Sequence, residues 1–173
     1  MKKLLKKVIR KIFPMTYSLN GLKGLAMATN TPIDLGRLGV DWWYVWGARD
    51  TDDVHYVPMT RDWSVPDISA DTPYLLVGNE PNAYEPFGHT MSSKYAVERV
   101  VAIQDAYPDT FLIVGNVSYD NWWGGLLRKK LGMGTGVQWL KDFLGHYKRI
   151  TGKKFDQGIG VHSYPVTKKG RDS

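Results

Sequence analysis

The sequence predicts an α/β protein, a (β/α)8 TIM-barrel-like fold with about six of the eight strand-helix units present. Three observations predict it. Short apolar runs of strand length alternate with turns and helical segments along the chain, which implies a parallel sheet. The run Tyr74-Leu75-Leu76-Val77 is unbroken, as in a strand buried on both faces, and passes directly into Gly78-Asn79-Glu80-Pro81. It therefore places a carboxylate at the strand's C-terminal end, where barrel folds carry their chemistry. No glycine fingerprint follows the first strand, which counts against a doubly wound dinucleotide-binding sheet.

Residues 1–20 read as a basic amphipathic tail and residues 21–173 as a partial barrel. Within Met1–Phe13, Leu4, Leu5, Val8, Ile9, Ile12 and Phe13 share one helical face, lysines cover the other, and Pro14 ends the helix. This segment suits either a weak contact with an anionic membrane surface or a solvated extension. Its lysines interrupt the apolar core a signal peptide needs, and no stretch of the chain could span a bilayer. A cytoplasmic or membrane-peripheral location is expected.

The first strand is predicted over Leu22–Ala28, with Thr31-Pro32 capping a short helix. The second covers Val40–Trp46, and its alternation sends Trp42, Tyr44 and Trp46 to one face and Trp43 and Val45 to the other. The third covers His55–Met59, with Trp63 just past its end, and the fourth is the Tyr74 run. Ser92 and Ser93 can cap a helix with Ala96, Val100, Ile103 and Tyr107 as its apolar stripe and Pro108 as its stop. Thr110–Gly115 is the fifth strand. A glycine-rich loop follows, and Trp122 and Trp123 in it suit a stacking platform or simple packing. Val137–Ile150 is a helix stopped by Gly152, and Gln157–Tyr164 a sixth strand presenting His162 and Tyr164 on one face.

Composition excludes several functions. The net charge of +6 is concentrated in the tail, whose first twelve residues hold six basic side chains and no acid, so no nucleic-acid partner is expected. The absence of cysteine removes disulfides, thiolate zinc sites and cysteine nucleophiles together. The four histidines show no ligand spacing, so no metal and no cofactor are expected. Gly132, Gly134 and Gly136 follow no strand directly and do not form a phosphate loop, and no Gly-x-Ser-x-Gly elbow occurs. Seven tryptophans and ten tyrosines exceed the needs of a core and suit a binding surface, for which sugars are one ligand.

Glu80 is the leading catalytic candidate. Among the three glutamates, Glu80, Glu85 and Glu98, only Glu80 terminates a buried strand, where desolvation would raise its pKa and fit it for general acid work. The alternative is that Asn-Glu-Pro-Asn is only a strand-ending turn.

Four stretches in barrel order carry a resemblance: Lys23-Gly24-Leu25-Ala26, Trp42-Trp43-Tyr44-Val45-Trp46, Val57-Pro58-Met59 and Gly78-Asn79-Glu80-Pro81-Asn82, with His162-Ser163-Tyr164 adding to it. Together they resemble the glycoside hydrolases of clan A, and specifically the glycosyl hydrolase catalytic-core family that includes fungal-type endo-beta-1,3-glucanases. The resemblance implies hydrolysis of a beta-linked glucan or related polysaccharide, with Glu80 as acid/base and Asn79 holding the sugar and its glutamate. Trp42, Tyr44, Trp46, His162 and Tyr164 would line the subsites. The sequence departs from the pattern at Val45, usually asparagine, and at Asn82, usually aspartate.

A retaining glycosidase also needs a second carboxylate about 5 Å from the first. The family takes it from strand seven, and the sequence ends in the loop after strand six, so a C-terminally truncated chain is expected. Open barrel edges would then favour self-association. Asp50, Asp62 and Asp120 follow other strands and could pair with Glu80 only in an inverting arrangement; their ordinary role is to cap turns. The alternative reading is a non-catalytic carbohydrate-binding protein that keeps the aromatic cleft.

Overall fold

The computed structural model of the chain describes residues 24–27, 35–47, 51, 53, 55–83, 90–118 and 135–162. Among these residues are six strands, β1 (Gly24–Met27), β2 (Trp42–Val45), β3 (Met59–Thr60), β4 (Tyr74–Val77), β5 (Phe111–Ser118) and β6 (Gly158–His162). Three helices, α1 (Leu35–Leu38), α2 (Ser93–Ala106) and α3 (Gly136–Thr151), lie between them. Every pairing is parallel and follows chain order within two sheets, a two-stranded one of β1 and β2 and a four-stranded one in the order β3, β4, β5, β6.

The two groups of strands are joined through residues 55–57. Trp43 bridges Tyr56 in parallel, donating its N–H to the His55 carbonyl at 3.0 Å and accepting from the Val57 N–H at 2.9 Å. The third strand expected over His55–Met59 is thus extended chain whose regular part has moved to Met59–Thr60. Pro58, which has no N–H to give, interrupts the ladder between them. No pairing joins β6 to β1 among the described residues, and the two sheets meet at the Trp43–Tyr56 bridge.

The remaining boundaries differ at their ends. β1 and β2 are regular over the central residues of the predicted runs, while β5 continues three residues past Gly115. The predicted 1–20 tail, Trp122, Trp123 and Tyr164 lie outside the described residues. No described helix is long and apolar enough to cross a membrane.

The helices begin and end as their sequences dictate. The Ser92 hydroxyl accepts the Tyr95 N–H at the start of α2, and Thr135 does the same for Gln138 at the start of α3. Gly152 ends α3 in the left-handed region at φ 72°, where a side chain would be strained. α2 buries Val97, Val100 and Ile103 completely, each worth roughly 1.5–3 kcal/mol. These pack with Trp139, Phe143 and Tyr147 of α3 over Leu75, Val77, Leu112, Val114 and Val117 of the sheet. Trp139 stacks on Phe143 with ring centroids 5.5 Å apart, and Trp63 tilts against Trp139 at 5.8 Å.

Candidate active site

After Val77 the chain leaves the sheet in a strained turn. Gly78 has φ 81° and Glu80 φ 43°, and the latter, for a glutamate, costs on the order of 1–3 kcal/mol. The surroundings hold this conformation. The Gly78 N–H donates to the Thr60 carbonyl at 2.8 Å, and the ring of fully buried Trp63 lies so close to Gly78 that any Cβ there would overlap it. Trp63 is itself left-handed at φ 65°, and its carbonyl accepts the Arg99 Nε–H of α2 at 3.0 Å. Farther along, the Glu80 carbonyl accepts the Ala83 N–H at 2.8 Å.

The result is a carboxylate that is only 6% exposed at the C-terminal end of β4. His162, at the C-terminal end of β6, places Nδ1 3.1 Å from Glu80 Oε1. Depending on tautomer, the imidazole donates to the carboxylate or accepts from the carboxylic acid. Asn79, buried beside it, accepts the Trp46 indole N–H at 3.1 Å. Burial, and secondarily the charge of Glu80, push the Tyr44 phenol above its ordinary pKa, so it stays protonated within the field of the glutamate. Tyr44 meets Trp46 edge-on at 5.7 Å, and half-exposed Trp46 carries the aromatic surface out to solvent.

Of the residues singled out in the sequence, Glu80, Asn79, Tyr44, Trp46 and His162 come together at this rim. Trp42 stands apart. It shares their face and stacks on Tyr44 at 6.2 Å, but its ring lies over Gly24 toward the start of the strands, as packing under the site rather than wall. Asp62 caps its own turn: Oδ1 accepts from the Ser64 N–H and the hydroxyls of Ser64 and Thr60. The Ser64 hydroxyl chiefly holds this carboxyl below its usual range against partial burial, with the Ser64 and Asp62 backbone amides and the Thr60 hydroxyl assisting, so Asp62 is ionised and unsuited to donate a proton at neutral pH. It lines a cleft of about 470 Å3 at the ends of β2 and β3, with Gly47, Thr60, Arg61, Ser64 and Asp67. Glu98 is exposed on α2, and Asp50, Asp120 and Glu85 lie outside the described residues.

Two further residues join the site, Asn82, which the sequence marked only as a departure from the resemblance, and Asn116, which it did not mark at all. Asn82 donates Nδ2–H to the Ser118 carbonyl at 3.0 Å and accepts the Ser118 N–H at 3.1 Å, a reciprocal clasp that ties the loop after Glu80 to the end of β5. Asn116 donates Nδ2–H to the Gly78 carbonyl at 2.8 Å, and its own carbonyl accepts the Glu80 N–H at 3.1 Å. Gly115-Asn116, a pair tolerant of positive φ inside an apolar run, was the available signal.

No family model and no curated protein matches the chain. Solved structures do. A GH128 (subgroup II) endo-beta-1,3-glucanase from Pseudomonas viridiflava is similar over 88% of this chain and 64% of its own, with 22% identity and a TM-score of 0.59. A GH128 (subgroup II) endo-beta-1,3-glucanase from Sorangium cellulosum is similar over 82% of this chain and 59% of its own, with 24% identity and a TM-score of 0.55. The chain therefore spans less than two thirds of either neighbour, and what it shares with them is the fold: parallel strands and helices in the arrangement of these glycoside hydrolases.

Proposed function

We propose that the chain belongs to a glycoside hydrolase acting on a beta-linked glucan, with Glu80 as the acid/base. The observation that carries this reading is the buried Glu80 carboxyl at the C-terminal end of β4, in contact with His162 and beside Asn79, Tyr44 and Trp46. The endo-beta-1,3-glucanase activity of the two structural neighbours, together with the resemblance around Gly78-Asn79-Glu80-Pro81, supports beta-1,3-glucan as the first substrate to try.

In this mechanism the Glu80 carboxylic acid gives its proton to the glycosidic oxygen as the bond to the anomeric carbon breaks, and the resulting carboxylate later takes a proton from the water whose oxygen bonds to that carbon and completes the hydrolysis. Trp46 stacks against a sugar face, and the Tyr44 hydroxyl and the Asn79 side chain hold hydroxyl groups near the reacting centre. The six strands are read as consecutive strands of an eight-stranded barrel, and the second carboxylate such chemistry requires is expected beyond β6.

The test is release of reducing sugar from a panel of beta-glucans by the chain and its Glu80→Gln variant, with glucan affinity measured on both. Turnover that falls by about 10²–10⁴ in the variant while binding persists supports the reading. Equal turnover in the two removes Glu80 from the chemistry. Binding by both with turnover by neither leaves the non-catalytic carbohydrate-binding protein and a glycosidase site still wanting its second carboxylate as the two readings.

A further inference from the structure

We propose that Asn116 is the positioning residue of Glu80, set there by a bulge in β5. The pairing of β5 with β6 shifts between Val114 and Val117, so Gly115 and Asn116 stand opposite the single residue Gly160. Leu112 and Val114 face the helices, and Val117, three residues on instead of two, faces them again. A regular strand would send residue 116 to the helix side; the extra residue turns it away and aligns Ser118 with His162. The left-handed backbone this requires is present at Gly115, φ 101°, and at Asn116, φ 43°.

So turned, Asn116 grips the chain on both sides of Asn79, up to the Glu80 N–H. Its side-chain amide holds the Gly78 carbonyl at 2.8 Å, and its main-chain carbonyl holds the Glu80 N–H at 3.1 Å. Gly160 makes room for the amide, because a Cβ at that position would overlap Asn116 Oδ1. Both bonds support the positive φ of Glu80, and that conformation aims the carboxyl at His162. The catalytic meaning of this role rests on the reading of Glu80 as acid/base; the geometry does not.

The test uses the full chain labelled with carboxyl-13C glutamate. Only three glutamates exist, and Glu80→Gln assigns the resonance of interest. In the parent chain, His162→Gln should displace the Glu80 resonance. In Asn116→Asp, which keeps shape but loses the donor, and in Asn116→Gly, which keeps backbone freedom but loses the amide, the same His162→Gln change should leave it unmoved. An unchanged response in either folded variant overturns the proposal. Global unfolding of both also overturns it, since it would make Asn116 a scaffold residue. These readouts need no glucan, so they stand whether or not turnover is found. Where turnover is found, Asn116→Asp should lower kcat about 10–100-fold with KM changed less than about 2-fold. A change confined to KM would contradict positioning of the acid.

Discussion

Replacing Gly78 with alanine tests whether Trp63 props up the end of β4. Two costs arise together. Alanine at φ 81° is strained by about 1–2 kcal/mol, and its Cβ would overlap the Trp63 ring, which is fully buried and packed against Trp139. Overpacking of that kind costs about 1–3 kcal/mol. Gly152 supplies the control, because it has a similar φ of 72° and nothing within 4 Å of an added Cβ. Gly152→Ala should therefore lose only the strain, about 1–2 kcal/mol, and Gly78→Ala about 2–5 kcal/mol. At about 2–4 °C per kcal/mol for a chain of this size, the first lowers Tm by about 2–8 °C and the second by about 4–20 °C. Urea unfolding followed by tryptophan fluorescence gives the two free-energy losses, and thermal unfolding followed by far-ultraviolet circular dichroism gives the two Tm shifts. Equal losses in the two variants would refute the argument, because they would leave the Trp63 contact with no energetic consequence.

Two further outcomes follow from the hydrogen bonds. Asn82→Ala should destabilise the chain by about 1–3 kcal/mol in urea unfolding, because it removes two hydrogen bonds between buried groups of Asn82 and Ser118, and Asn82→Asp, which keeps the acceptor, should lose less. The lowered Asp62 carboxyl contributes stability that is fully present above the ordinary aspartate range near about pH 4 and is lost as pH falls through its lower folded value. Because Asp62 is largely solvated, Asp62→Ala should cost under about 1 kcal/mol at neutral pH. The gap between variant and parent urea midpoints should close on acidification, and a gap that widens instead would contradict the assignment.

Much of the arrangement was written in local pattern. The Tyr74–Val77 run, the Ser92 cap, the Gly152 stop and the alternation of Trp42, Tyr44 and Trp46 each depend on neighbours in sequence, and each has its expected form. The burial of Glu80 followed from the same run. What escaped was set by partners far along the chain. Gly115 reads as the end of a strand, yet β6 pairs on both sides of it, and the bulge lets β5 continue to Ser118. Trp63 reads as a residue past a strand end, yet it is wedged under Gly78 and held by Arg99 from α2. Trp42 reads as a wall residue because its face is right. Its ring lies sideways over Gly24, its register partner on β1, which alternation does not encode.

The chain-order arrangement of the strands also bears on how the protein is made. β2, β4, β5 and β6 each have their first neighbour already synthesised when they leave the ribosome, and the segment leading into β3 bridges β2 through Tyr56 before β4 arrives to pair with β3 itself. The sheet can therefore be assembled by addition at one growing edge, in the direction of translation. Glu80 gains its turn when β4 is laid down, but its brace on β5 arrives only with Asn116 and its contact on β6 only with His162. The glutamate is thus fixed in stages, and its final orientation is among the last features of this region to form.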